Sequence, residues 1–208
     1  MKKFITLFIL SITIQISGQS KYETGMQKAF ELWGQQKNTE ASQLFERIAN
    51  AEKDNWLPSY YVATIEILGS FGIKDEAKLN AKLKRAQEFL DIAKSISPNN
   101  PEIIINQALL NTAYIAFDGQ KYGMSLSGKN AVLYNKALQL APENPRVLLG
   151  KAEWDMGSAQ FFGQPIDPYC KDVAKAAELF DKEELPQFYP KYGKDRAIEI
   201  LKKCKKTK

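Results

Sequence analysis

The chain has 208 residues, 44% hydrophobic and 25% charged, proportions that suit one globular domain with its own core and exclude a disordered tail, a collagen-like rod and a polytopic membrane protein. It contains no histidine and only two cysteines, Cys170 and Cys204, so imidazole bases and the His/Cys cages that hold zinc, copper or haem cannot be built, and neither a metal nor a cofactor is expected. The net charge of +5 comes mostly from a lysine-rich tail, Lys202 to Lys208; basic residues are not grouped with aromatic or amide readers as a nucleic-acid footprint requires, and no nucleic-acid partner is expected.

The chain opens with Met1-Lys2-Lys3, an apolar run from Phe4 to Ile16, and the small polar stretch Ser17-Gly18-Gln19-Ser20. That order is the layout of a secretory signal, with cleavage expected between Gly18 and Lys21. The apolar run is shorter than the ~20 residues a bilayer crossing needs, and no later segment could span. No cysteine lies near the cleavage region to carry a lipid. Residues 1–20 are therefore expected to be a signal peptide, and residues 21–208 a soluble periplasmic or secreted protein.

Beyond the leader a junction recurs at Lys53-Asp54-Asn55, Pro98-Asn99-Asn100 and Pro142-Glu143-Asn144. Apolar or small residues precede each one, at Phe45 and Ile48, Leu90 and Ala93, Tyr134 and Ala137, and alanines follow at Ala63, Ala108 and Ala152. Spacings of three and four place these residues on one helix face, with alanine where two helix axes approach closely. Proline stops the preceding helix, Asn100 and Asn144 are N-caps, and Pro101 and Pro145 restart the chain at the first helical position. First helices are expected near 22–36, 56–70, 101–117 and 145–161, and second helices near 39–52, 75–97, 129–141 and 171–184. Asn38 or Thr39, and Asp75, are candidate N-caps. A last helix is expected near 194–205. The glycines at 119, 123 and 128, with Gly163, Pro165 and Pro168, mark expected loops.

The second helices and their exits, Ala41, Phe45 and Ile48, then Ala86, Leu90, Ala93 and Pro98, then Tyr134, Ala137 and Pro142, resemble the tetratricopeptide repeat. The resemblance implies an all-α, right-handed superhelix of antiparallel helix hairpins, with units at about 22–55, 56–100, 101–144 and 145–182 and a C-terminal capping helix within 183–208. Each hairpin is too small to bury its own stripe, so the array is stable only as a set. Gln107 and Lys151 stand where the family has leucine, and Glu66, Asn111 and Asp155 where it has an aromatic residue.

First helices line the concave face in that family. The resemblance therefore implies a partner site for a protein or peptide along Tyr60, Glu66, Asn111, Trp154 and Asp155, with Ile105, Leu109, Leu149 and Met156 nearby. The exported chain is expected to be a non-enzymatic scaffold. Two alternatives stay open: a carboxylate-lined small-ligand receptor or hydrolase using Glu66 and Asp155, and a structural subunit of a cell-envelope complex. Cys170 and Cys204 either pair, stapling the cap to the array across about 35 residues for roughly 3–4 kcal/mol, or stay a packed small residue and a free thiol. Phe161-Phe162-Gly163-Gln164-Pro165 is the one aromatic loop that invites testing.

Overall fold

A computed structural model describes residues 21–205; the expected signal peptide lies outside the described residues. Helix α1 covers residues 21–34. It is followed by α2 (Asn38–Ala51), α3 (Trp56–Leu68), α4 (Glu76–Ile96), α5 (Pro101–Phe117), α6 (Gly119–Leu140), α7 (Pro145–Phe161), a 3-10 turn (Asp167–Tyr169), α8 (Cys170–Phe180) and α9 (Lys194–Cys204). The described residues hold no strand. The protein is all-α.

Polar side chains at the junctions set where the helices start. Asn55, Asn100 and Asn144 each accept a hydrogen bond from a backbone N–H of the turn that follows, at 2.9–3.2 Å. Asp75 and Asp118 do the same for Lys78 and Lys121. Such caps satisfy N–H groups that have no partner inside the helix. At α2 the expectation needs correction: the helix begins at Asn38, its N-cap is Lys37, and no side chain caps it.

Two further boundaries differ from the sequence reading. The stretch 119–128, expected as a loop, is the first half of α6. Its glycines disfavour helix by about 1 kcal/mol each, but Asp118 caps it, and the Tyr122 hydroxyl reaches Glu76 at 2.8 Å beside a Lys121–Glu76 ion pair. Tertiary contacts override local propensity there. Helix α8 stops at Phe180, and the chain then runs without regular structure to α9.

Helices adjacent in sequence pack against each other from α2 through α9, and α3, α5 and α7 also touch in turn. These three run parallel. Asn144 and Arg146, at the start of α7, bond Glu102 near the start of α5, and Asn106 bonds Thr64 farther along α3. One core joins the first five helices around Phe45, Tyr61, Leu83 and Leu90. A smaller cluster around Ile105, Tyr134 and Val147 links α5 to α7. A third, around Met156, Val173 and Ile200, holds the last three helices. Cys170 and Cys204 form a disulfide with Cα atoms 6.1 Å apart and 34 positions apart in sequence, joining α8 to α9. Closing a loop of that length restricts the unfolded chain by about 4 kcal/mol.

Candidate functional site

A strap, residues 181–193, lies against α1 and against the N-terminal halves of α3 and α7. Glu183 of the strap receives two hydrogen bonds from Arg146, at 2.8 and 2.9 Å. Arg146 also donates to Glu102 at 2.8 Å. Glu102 is fully buried, and burial pushes its carboxyl above the usual range against the opposing pull of Arg146 and Asn144. Farther along, the Phe188 ring packs edge-on to Tyr22 and parallel to Phe30, and its carbonyl accepts the Tyr61 hydroxyl at 2.7 Å. Tyr189 packs on Trp56, and the Tyr192 hydroxyl lies 3.4 Å from that of Tyr60. Burial raises the pKa values of Tyr60, Tyr61 and Tyr192. The strap leaves through Gly193 at φ +111°, where a Cβ would stand 2.6 Å from Phe180. Only glycine passes there.

The residues singled out from the sequence are distributed as follows. Tyr60 is 0% exposed, beneath the strap. Glu66 is buried between second helices, accepting from Ser42 at 2.9 Å and Lys82 at 2.8 Å, with Arg85 at 3.5 Å. Asn111 donates to Asn130 of α6 at 2.9 Å. Trp154 is half-buried and stacks on Tyr134. Asp155 pairs with Lys151 of its own helix at 2.6 Å. Glu66 and Asp155 share no partner among these bonds, and Glu66 and Asn111 face second helices. Ile105, Leu149 and Met156 are buried and Leu109 partly so.

The C-terminal halves of the same first helices differ. Successive units are offset by 45 and 44 residues, which aligns Leu68 with Ala113 and Gly157, and Phe71 with Ala116 and Gln160. Two open clefts lie on these aligned positions. The first, about 450 Å³, is walled by Phe71, Ile73, Ala113, Ala116 and Phe117, with Ser70, Gly72, Lys74 and Asp118 completing it. The second, about 230 Å³, lies between α7 and α9, lined by Met156, Gly157, Gln160, Ile166 and Ile200, with Glu153, Arg196 and Lys203 at its edge. Leu68 and Phe71 are exposed, and just past Gln160 the rings of Phe161 and Phe162 are 80% and 71% exposed and meet edge-to-face.

A first cleft of this size falls within the ~300–1,000 Å³ of small-ligand sites, and its lining mixes the apolar side chains with the polar Ser70, Lys74 and Asp118 in about equal share. Lys74 supplies a cation at its edge, whereas the Asp118 side chain is engaged by the Lys121 N–H. Just behind it, hydrogen bonds from Lys121 and then Tyr122 hold the Glu76 carboxyl below its ordinary range. Among the described residues no three or more His, Cys, Asp or Glu side chains converge as a metal site. The aligned small residues Ala113 and Gly157 were visible in the sequence once the repeat offset was known. The strap carried no periodic signal.

No protein-family profile matches the chain, and no curated protein matches it in sequence. Among solved structures, the HusA haemophore from Porphyromonas gingivalis is similar in fold, with a TM-score of 0.77, 23% sequence identity, and coverage of 89% of this chain and 92% of that one.

Proposed function

We propose that this chain is an exported, non-enzymatic cargo protein whose first cleft holds a flat, apolar, carboxylate-bearing ligand of the porphyrin class. The observation that carries the reading is the cleft itself: about 450 Å³, walled by two aromatic rings and small aliphatic groups with Lys74 at its edge, on a fold shared with a haemophore. The faces of a macrocycle pack on Phe71 and Phe117, and a carboxylate meets the lysine as a charge-assisted pair. With no histidine, cysteine, methionine or tyrosine among the residues lining this cleft, where haem iron takes such ligands, cargo is gripped by its faces and carboxylates. Metal-free and iron-bearing porphyrins should bind alike.

The disulfide and the signal-like N-terminus support a periplasmic or extracellular location. Parallel first helices and sequential packing support the finer architecture, a tetratricopeptide-like superhelix capped by α9. Peptide capture along Tyr60 is the weaker reading, because the strap occupies that half of the face. Contact with an envelope partner is favoured by one feature, the exposed Phe161–Phe162 pair.

The test is a titration of protoporphyrin IX and its iron complex into wild-type protein and Ala116→Trp, a change at an exposed wall of the cleft. Saturable one-to-one binding of both ligands, weakened at least about tenfold by the variant while its helical spectrum is unchanged, is expected (about 1.4 kcal/mol per tenfold). Absence of saturable binding, or equal binding by Ala116→Trp, contradicts the proposal.

A further inference from the structure

Helix α7 ends in a turn closed by its own backbone. The N–H of Gly163, at φ +66°, donates to the Gln160 carbonyl at 3.1 Å, and the N–H of Gln164 donates to the Ala159 carbonyl at 2.7 Å. This is the Schellman ending, in which a left-handed residue and two such bonds terminate a helix. The two residues before the glycine are Phe161 and Phe162. Their rings meet edge-to-face and stay 80% and 71% exposed, so the turn holds both outward without using them to close. A single exposed apolar residue is ordinary, whereas two adjacent aromatic rings on a protruding turn mark an interaction surface.

The lysines of the last helix gather at the same end of the molecule. Gln160, next to Phe161, lines the groove between α7 and α9 together with Ile166 and Lys203. The Cys170–Cys204 disulfide, with Cα atoms 6.1 Å apart, sets the end of α9 beside the start of α8, so Lys205 and Lys171 follow the two bonded cysteines. Lys171, Lys202, Lys203 and Lys205 are exposed, and residues 202–208 hold five lysines and no acidic residue. Of the carboxylates on these turns, Glu199 lies 3.5 Å from Arg196, which leaves Asp167 and Asp172 against the lysines. This end carries an excess of positive charge around its exposed rings.

We propose that the Phe161–Phe162 turn, flanked by Lys171, Lys202, Lys203 and Lys205, docks the protein on an anionic phospholipid surface. Such a surface offers both halves of the patch what they need, an apolar layer beneath a layer of negative charge, and it receives rings on a convex turn without a matching pocket. The rings enter the acyl boundary shallowly, while the lysines meet the phosphates and lay their alkyl stems along the interface. Two rings and a few lysines give weak, reversible attachment. The proposal goes beyond the cargo reading and does not depend on it, because the docking end can act whether or not the first cleft is filled.

The test is flotation of the exported chain with vesicles of phosphatidylcholine, alone or mixed with phosphatidylglycerol. Wild type is compared with Phe161→Ser plus Phe162→Ser, with Phe161→Trp plus Phe162→Trp, and with Lys171→Gln plus Lys202→Gln and Lys205→Gln. Wild type is expected to float with the mixed vesicles, to stay behind with phosphatidylcholine alone, and to be released as salt rises. The serine and glutamine variants are expected to lower partitioning at least about tenfold each, and the tryptophan variant to retain it. Their helical spectra should match wild type, since the altered side chains are exposed. Equal flotation of wild type and either the serine or the glutamine variant overturns the proposal. So does equal flotation with both kinds of vesicle, or none with either, which would leave the rings to a protein partner.

Discussion

Along α3, α5 and α7 the first turns and the last turns of the same helices do opposite things. At the start, Tyr60, Glu102 and Arg146 are buried under the strap and bonded to it or to one another. At the end, Leu68 and Phe71 are exposed, and Ala113, Ala116 and Gly157 leave clefts. The first region is filled by the chain's own aromatic segment, and its removal would strand charges. The second has small or apolar residues and cations already screened by water. The cargo proposed above has room at the open half of these helices, where the strap does not reach.

The sharpest way to break this contrast is Arg146→Ala. It would leave Glu102 buried without its cation and free Glu183 from α7, and a broken buried pair costs about 3–5 kcal/mol. A denaturant midpoint like that of wild type would contradict the account of the strap. Cys170→Ser with Cys204→Ser should cost about 2–4 kcal/mol by the same measurement; no change would mean that α9 is held without the disulfide. Tyr61→Phe removes a hydroxyl bonded to the Phe188 carbonyl and should cost about 1 kcal/mol, with faster amide exchange in residues 186–193. Arg196→Gln, in the open half, should change stability by less than about 0.5 kcal/mol, as exposed substitutions do. A loss comparable to that of Arg146→Ala would erase the distinction between the halves.

The smallest signal is a slope with pH. Burial raises the Glu102 pKa in the folded protein, so the folded state holds its proton to higher pH than the unfolded chain. This group's contribution to stability rises as pH falls from its folded value to the ordinary carboxylate range, and is lost as pH rises. Glu102→Gln cannot titrate there. The stability of wild type relative to Glu102→Gln should rise as pH falls through that range; a relative stability that falls would reverse the sign of the shift.

Local chemistry made much of the helix pattern legible. Asn100, Asn144, Pro101 and Pro145 mark starts that the structure repeats, and Cys170 and Cys204 meet as a disulfide. What local reading missed depends on distant partners. The glycine-rich start of α6 is helical because Glu76, Lys121 and Tyr122 lie together. The strap has neither a 3.6-residue nor a 2-residue period, so nothing in Leu185 to Gly193 signals that Phe188 packs on α1 and Tyr189 on α3. Glu66 and Asn111 read as a polar row, but their partners on neighbouring helices are not adjacent in sequence. The clefts became visible only by aligning units, because Ala113 and Gly157 are unremarkable singly.

Paramagnetic NMR with the iron porphyrin, referenced to the metal-free ligand, tests the central claim most directly. The account predicts line broadening concentrated at residues 70–74 and 113–118, with Tyr60, Phe188 and Tyr189 spared. Broadening centred on the strap and the first turns of α3 and α5, with the first cleft unaffected, would contradict it.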